Sequence, residues 1–318
     1  MKKLIGIDIG TSAVKLALIS DGKVVRTTFA PLPGTPVQGG QVVSPEELGQ
    51  AIRQIRKDAK IHGRHCALVL PPELVFVRRL TMPYMTEALL KLNLPYELKD
   101  YIQNDKEQYF YDYAVLNTIC DEEGKPVELD LLVAAAPCRV IEQYRTALKH
   151  AGLQLTLAVP QTLTYRNIIR AHEASGTEHP EEYCIVDMGH SAIRVHMYRG
   201  TAYETSRVIE YGGSAFQMLD HTAEISDPDS YRQELYGSIA LEIMRAVNFY
   251  GFNTPDSNLQ DIYFSGGLSQ SEPLMNEIRN TVSLNCHPIE ELLPPMNDGK
   301  LEAQFGAAVG ATLQSSGR

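Results

Sequence analysis

A strand that ends in a carboxylate, breaks at a glycine two residues later and doubles back occurs twice in this chain, 179 residues apart. The first copy is Lys3 to Ala30, KLIGIDIGTSAVKLALISDGKVVRTTFA. Leu4, Ile5 and Ile7 form an apolar run ending at Asp8, Gly10-Thr11-Ser12 interrupts it, and Val14, Leu16 and Leu18 resume with the alternation of a half-buried strand. Asp21-Gly22 then predicts a two-residue hairpin, because a type I′ turn needs positive φ at both central positions. The second copy runs from Cys184 to Tyr198, with Asp187 in the place of Asp8 and Gly189 in the place of Gly10. Arg199-Gly200 stands for Asp21-Gly22, and Ala202 to Tyr211 supplies a third strand. Such a duplication predicts two similar halves facing each other, with a ligand gripped between two acidic hairpins.

The chemistry of that grip follows from the residue types. A carboxylate at a strand end beside a turn of small residues makes an anion cradle next to a metal-ready acid. Asp8 and Asp187 would hold Mg²⁺ through water, since that ion keeps most of its waters beside phosphate oxygens. Gly10, Thr11 and Ser12 offer N–H and hydroxyl donors to one side of a phosphate chain, and Gly189, His190 and Ser191 offer them to the other. Lys15, four residues after Thr11, either reaches the same phosphates as a point charge or is a solvated strand residue.

Charge and composition restrict the partner. With 29 basic against 39 acidic residues the net charge is −10, which argues against nucleic acid or an anionic membrane as the main partner. Its 318 residues, 44% hydrophobic, suffice for two lobes. Met1-Lys2-Lys3 leads into a strand rather than a signal peptide, and no apolar run approaches 18 residues, the longest lying near Leu131 to Pro137. Five scattered cysteines (Cys66, Cys120, Cys138, Cys184 and Cys286) lack metal spacing and read as reduced, buried small hydrophobes of a cytoplasmic protein.

Between the repeats, Pro31 to Gly40 is a loop and Ser44-Pro45-Glu46-Glu47 predicts a helix start with a capping box, the helix ending at His62-Gly63. Cys66 to Leu70 is a short strand. From about Leu74 to Ala158 the pattern is strand, helix, strand, strand, helix, strand. Thr86 caps the first helix, and Pro95 forces a kink or restart that runs to about Asn104. Strands Tyr109 to Ile119 and Glu128 to Ala136 follow, then a helix from Arg139 ending at Gly152, then strand Leu153 to Ala158. The pattern reads as an inserted α+β module.

Two phosphate hairpins followed by Ile262-Tyr263-Phe264-Ser265-Gly266-Gly267 and by Phe305-Gly306-Ala307-Ala308-Val309-Gly310-Ala311 resemble the actin, hexokinase and heat-shock chaperone ATPase superfamily. The resemblance implies an α/β, actin-like (ribonuclease H-like) two-lobe fold with a small inserted α+β subdomain in the first lobe. It implies that Gly266 and Gly267 let adenosine lie against backbone, and that the closing Ala/Gly-rich helix serves as a hinge. Gly212 and Gly213 would lie near the ribose by the same resemblance, or form a simple loop. The position of the insertion, with Arg79-Leu80-Thr81-Met82-Pro83-Tyr84-Met85, Asp112-Tyr113-Ala114-Val115-Leu116, Leu132-Val133-Ala134-Ala135-Ala136-Pro137 and Glu242-Ile243-Met244-Arg245, is similar to the type IV pilus assembly protein PilM family, in the branch shared with FtsA. The expected parts are residues 1–73 (first lobe), 74–158 (inserted subdomain), 159–182 (first lobe continued and linker) and 183–318 (second lobe).

The resemblance implies a cytoplasmic scaffold that binds ATP and Mg²⁺, sits at the inner face of the membrane through its partner, and neither binds nucleic acid nor inserts into the bilayer itself. The partner would be a PilN-like inner-membrane protein, recognised by its cytoplasmic N-terminal segment in a groove between first lobe and insertion; self-association is left open. Tyr96, Leu98, Tyr101, Ile102, Tyr109, Phe110, Tyr111 and Tyr113 are either part of that interface or the core and rim of the insertion. Two departures argue for weak turnover or none. The linker Val159-Pro160-Gln161-Thr162-Leu163 carries Val159 where fast ATPases carry a water-orienting carboxylate or amide, leaving only Gln161, and Ala223-Glu224-Ile225-Ser226 lacks the lysine that contacts adenine. The alternatives are an FtsA-like filament protein, which the tail Leu313 to Arg318 disfavours for want of an amphipathic anchor, or a small-molecule kinase, for which no catalytic acid motif is evident.

Overall fold

The computed structural model describes residues 3–102, 108–176, 180–216, 227–297 and 300–313. Strands β1 (Lys3–Ile9), β2 (Ala13–Ser20) and β3 (Lys23–Pro31) form the expected antiparallel meander. The first two are buried at almost every position, as strands covered on both faces must be. Asp21 and Gly22 take φ of 52° and 77°, the type I′ geometry. A small hairpin, β4 (Val37–Gln38) with β5 (Gln41–Val42), interrupts the Pro/Gly loop.

Helix α1 (Pro45–Asp58) begins where predicted, but the capping box does not form. The Ser44 side chain makes no cap hydrogen bond, and its N–H turns away to the Pro36 carbonyl at 3.4 Å. The helix also stops four residues before His62, because Lys60 adopts φ 53° and reverses the chain. β6 (His65–Leu70) then runs parallel to β1.

β7 (Phe76–Pro83), α2 (Glu87–Glu97), β8 (Tyr109–Cys120) and β9 (Pro126–Pro137) make the separate module. Its sheet has the order β7-β9-β8, and α2 covers one face over Met82, Leu131 and Val133. The Thr86 hydroxyl accepts from the Leu89 N–H at 3.5 Å, as a cap should. Pro95 does not restart α2, which runs unbroken to Glu97: the proline sits in the last turn, where a missing donor removes a single bond. The expected continuation is not helical as far as it is described: residues 98–102 form turns, and 103 and 104 lie outside the described residues. Leu98 and Ile102 are core residues of this module, Tyr109, Tyr111 and Tyr113 pack half-buried against it, and Tyr96, Tyr101 and Phe110 are exposed.

The last two elements of the expected insertion form but join the first lobe. α3 (Cys138–His150) packs on α1, placing Val140, Tyr144 and Leu148 in the first lobe's core, and β10 (Gln154–Pro160) lies parallel to β6 as an edge strand. The first sheet therefore has the order β3-β2-β1-β6-β10.

α4 (Gln161–Glu173) crosses to the second lobe, where β11 (Glu182–Met188), β12 (Ile193–Arg199) and β13 (Ala202–Ile209) repeat the meander. Its loop is Gly200-Thr201 rather than Arg199-Gly200, with positive φ at Gly200 alone, the pattern of a type II′ turn. After α5 (Pro228–Asn253), β14 (Asp261–Ser265) pairs parallel with β11; α6 (Glu272–Thr281) and β15 (Asn285–Pro288) follow. The order β13-β12-β11-β14-β15 reproduces the first sheet strand for strand.

A short final helix, α7 (Gly306–Gly310), lies against α4 between the sheets. The approach is very close. A Cβ on Gly6 would stand 1.8 Å from the Ala308 carbonyl oxygen, and one on Gly310 would stand 2.2 Å from that of Thr164. Tyr165, Ile168 and Ile169 of α4 pack with Leu4 and Val69 of the first sheet and Ile185 and Tyr198 of the second, so one apolar layer joins the lobes. Arg79 adds a polar tie from the inserted sheet, binding Asp130 at 2.6 Å and Glu204 of β13 at 2.9 Å. Among the described residues no helix is long and apolar enough to cross a membrane.

Candidate functional site

The two hairpins use the same local geometry. Each turn is closed by its glycine: the Gly10 N–H donates to the Ala13 carbonyl at 2.9 Å, and the Gly189 N–H to that of Ala192 at 3.1 Å. In each, the carboxylate lies directly across the ladder from a basic residue, Asp8 opposite Lys15 and Asp187 opposite Arg194. Residues directly opposite in an antiparallel pair project to the same face, so each hairpin presents an acid and a base together.

Both faces open into one cavity of about 820 Å³ between the lobes. Asp8, Gly10, Thr11, Ser12 and Lys15 line it from the first lobe, and Asp187, Gly189, His190, Ser191, Gly213 and Gly267 from the second. Gly212 and Gly266 do not line it. They are backbone supports: a Cβ on Gly212 would stand 2.4 Å from the His190 carbonyl oxygen, and Gly266, at φ 92°, would place one 2.5 Å from that of Met188. The Gly213 and Ser214 N–H groups bond the carbonyls of Gly189 and His190, which brings Gly212-Gly213 onto the second turn rather than leaving it a free loop. The segment Ala223 to Ser226 and the tail from Gln314 to Arg318 lie outside the described residues.

The electrostatics of the cavity couple the halves. Lys15 Nζ bonds Asp8 Oδ2 at 3.0 Å, so it is no solvated strand residue. Burial pulls its ammonium down, but the charges of Asp8 and Asp187 outweigh that and raise it. Asp187 is 5% exposed. Burial pushes its carboxyl up to about 6, with Lys15 opposing the rise, Asp8 adding to it, and the Tyr165 hydroxyl and Gln161 amide opposing it. Gln161, the first residue of α4, donates its Nε2 to Asp187 Oδ2 at 2.6 Å, while its own Oε1 is buried without a partner.

Among the cavity residues that escaped the sequence reading, Arg194 and Glu73 matter most. Arg194 follows Asp187 by seven residues as Lys15 follows Asp8, and carrying the repeat comparison that far would have found it. Glu73, after Pro71-Pro72, reaches from the first lobe to form an ion pair with Arg194, and no local pattern announces it. Among the described residues no group of three or more His, Cys, Asp or Glu side chains could hold a metal by itself.

A duplicated meander-plus-two-strand unit, closed around an acidic cleft and joined through a glycine-packed terminal helix, defines the actin-like two-lobe fold. Comparison with solved structures agrees: the chain is similar to the PilM-PilN type IV pilus biogenesis complex, with a TM-score of 0.81 at 20% identity over 98% of each chain. It is also similar to ethanolamine utilization protein EutJ from Carboxydothermus hydrogenoformans, with a TM-score of 0.60 at 13% identity over 98% of this chain and 90% of that one. At these identities the likeness is one of fold. A comparison with curated proteins gives no match. The family model described as type IV pilus assembly protein PilM matches residues 6–297, and the chain belongs to that family.

Proposed function

We propose that this chain is a nucleotide-dependent scaffold of a type IV pilus or related secretion machine, acting at the cytoplasmic face of the inner membrane. The observation that carries the nucleotide reading is the pair of acid-tipped hairpins lining one cavity, with Lys15 inside the fields of both Asp8 and Asp187. The residues suit a magnesium–triphosphate ligand. Two carboxylates facing one cavity suit an ion bound mainly through water and phosphate oxygens. The buried, unpartnered Oε1 of Gln161 and Nε of Arg194 leave one acceptor and one donor there for a ligand. Asp8 and Asp187 would orient the hydrated ion, the turns at Gly10-Thr11-Ser12 and Gly189-His190-Ser191 would receive the phosphates, and Gly213 and Gly267 would face the nucleoside. When bound, the metal would neutralise phosphate charge between the lobes.

Turnover is slow in this reading. Gln161 is the one water-orienting candidate of the linker, and its amide is committed to Asp187. ATP then acts as a ligand that favours one lobe arrangement. The scaffold part rests on family membership and on the likeness to a PilM-PilN complex. The partner would be a PilN-like membrane protein whose cytoplasmic N-terminal segment binds between the first sheet and the inserted sheet, where apolar pockets and backbone hydrogen bonds fix an extended peptide. Exposed Tyr96, Tyr101 and Phe110 give the inserted module apolar surface for such contacts.

Calorimetry tests both parts. Mg-ATP is expected to bind with Kd below 1 mM, and Asp8→Asn to weaken it about tenfold, the value of one lost charged contact. No heat at millimolar ATP removes the nucleotide reading. A synthetic peptide copying the cytoplasmic head of the single-span protein encoded beside this one is expected to bind the full chain; no binding with or without ATP removes the scaffold reading.

A further inference from the structure

We propose that Arg194 is the second lobe's phosphate-binding cation, and that Glu73 holds it in the nucleotide-free protein, so that a nucleotide phosphate and Glu73 compete for one guanidinium. The inference rests on the nucleotide reading above and adds to it a contact and a latch. Arg194 occupies in β12 the ladder position that Lys15 occupies in β2, directly across from the hairpin's carboxylate. Its Nη1 lies 3.7 Å from where a Cβ on Gly189 would stand, so the guanidinium rests against the second phosphate turn. An arginine there offers a planar fork of donors that matches two oxygens of one phosphate, which a lysine cannot do.

The present partner fits the site poorly. Arg194 is 6% exposed, whereas the Glu73 side chain is 48% exposed and comes from a loop of the opposite lobe. Arg194 Nε is buried with no acceptor. Burial pulls the guanidinium's pKa down while Asp8 and Glu210 support its charge. A cation removed from water needs its donors satisfied, and one half-solvated carboxylate leaves this one short. A phosphate in the cleft would supply both the charge and the missing acceptor. Glu73 would then be released to solvent, which lies at its side already. Because the pair joins the lobes, exchanging it couples nucleotide occupancy to their separation.

A purely structural ion pair makes the opposite prediction for Glu73, and this separates the two. Mg-ATP, ADP and AMP are titrated by calorimetry into the full-length wild type, Arg194→Gln, Arg194→Lys and Glu73→Gln, with thermal unfolding of each to confirm that it is folded. Arg194→Gln is expected to weaken ATP about tenfold or more while changing AMP less than about twofold, as loss of one charged phosphate contact requires. Arg194→Lys should recover part of that loss. Glu73→Gln, which removes the competitor and leaves the exposed loop in place, should tighten ATP by about three- to tenfold. Wild-type ATP affinity in Arg194→Gln, or weaker ATP binding in Glu73→Gln, overturns the inference and leaves the nucleotide reading intact. A wild type that binds no Mg-ATP overturns both.

Discussion

Asp187→Asn is expected to make the nucleotide-free protein more stable at pH 8 while removing its affinity for Mg-ATP. The folded-state pKa of about 6 lies roughly two pH units above the ordinary value of 3.8. Below that ordinary value the carboxyl is protonated in both folded and unfolded chains and contributes nothing. Between the two values the folded protein retains a proton that the unfolded chain has lost, so each step up in pH favours unfolding. Above about 6 the full penalty is present, about 3 kcal/mol at most. Asparagine has no charge to desolvate and can still accept from Gln161, so about 2 kcal/mol should be recovered at pH 8 and almost nothing near pH 4. Urea unfolding at the two pH values measures the difference. A variant that is less stable at pH 8 would refute the assignment of Asp187 as a strained, buried anion held for a ligand.

Gly6→Ala should be the most damaging single methyl in the chain. β1 cannot move to make room, because Gly6 is paired with Ala17 of β2 on one side and with Ala67 of β6 on the other. The new methyl would overlap the Ala308 carbonyl oxygen at 1.8 Å and crowd Thr312 Cγ2 at 2.9 Å. α7 would have to retreat, yet Gly310 already seats it on the Thr164 carbonyl at 2.2 Å from a hypothetical Cβ. Overpacking of this kind costs about 3 kcal/mol or more. Gly237→Ala in α5 is the matched control. Nothing lies within 4 Å of its Cβ position and its φ is helical, so the same change there should stabilise by up to about 1 kcal/mol. Denaturant midpoints of the two variants should move in opposite directions; a Gly6→Ala protein as stable as wild type would show that α7 is not seated as described.

What was legible in the sequence depended on how local its cause is. Both acid-tipped hairpins, the Asp21-Gly22 turn and the Thr86 cap are set by residues within a few positions of one another, and their backbone geometry formed as read. The capping box at Ser44 did not form, and the Ser44 backbone N–H that its glutamate half would have met bonds the carbonyl of Pro36, eight residues upstream. α3 and β10 were recognised as helix and strand, but not as parts of the first lobe. β10 chooses β6 as its neighbour through a surface assembled from residues 80 or more positions away, which no window along the chain contains. The site divides in the same way. Asp8 and Asp187 were visible as strand-end carboxylates, whereas Arg194 was passed over although the repeat, carried seven residues further, contains it. Glu73 enters only because folding brings one loop across a cleft.

The seat of α7 on β1 also sets an order of events during synthesis. Ala17 and Ile19 of β2 and Val24 of β3 are covered by Leu301, Phe305, Ala308 and Val309, and the Val24 backbone bonds Pro295 and Asn297. At about 5–20 residues per second those covering residues leave the ribosome roughly 15–60 s after Gly6 does. Throughout that interval the first hairpin has a bare apolar flank, which only the arrival of α7 can cover.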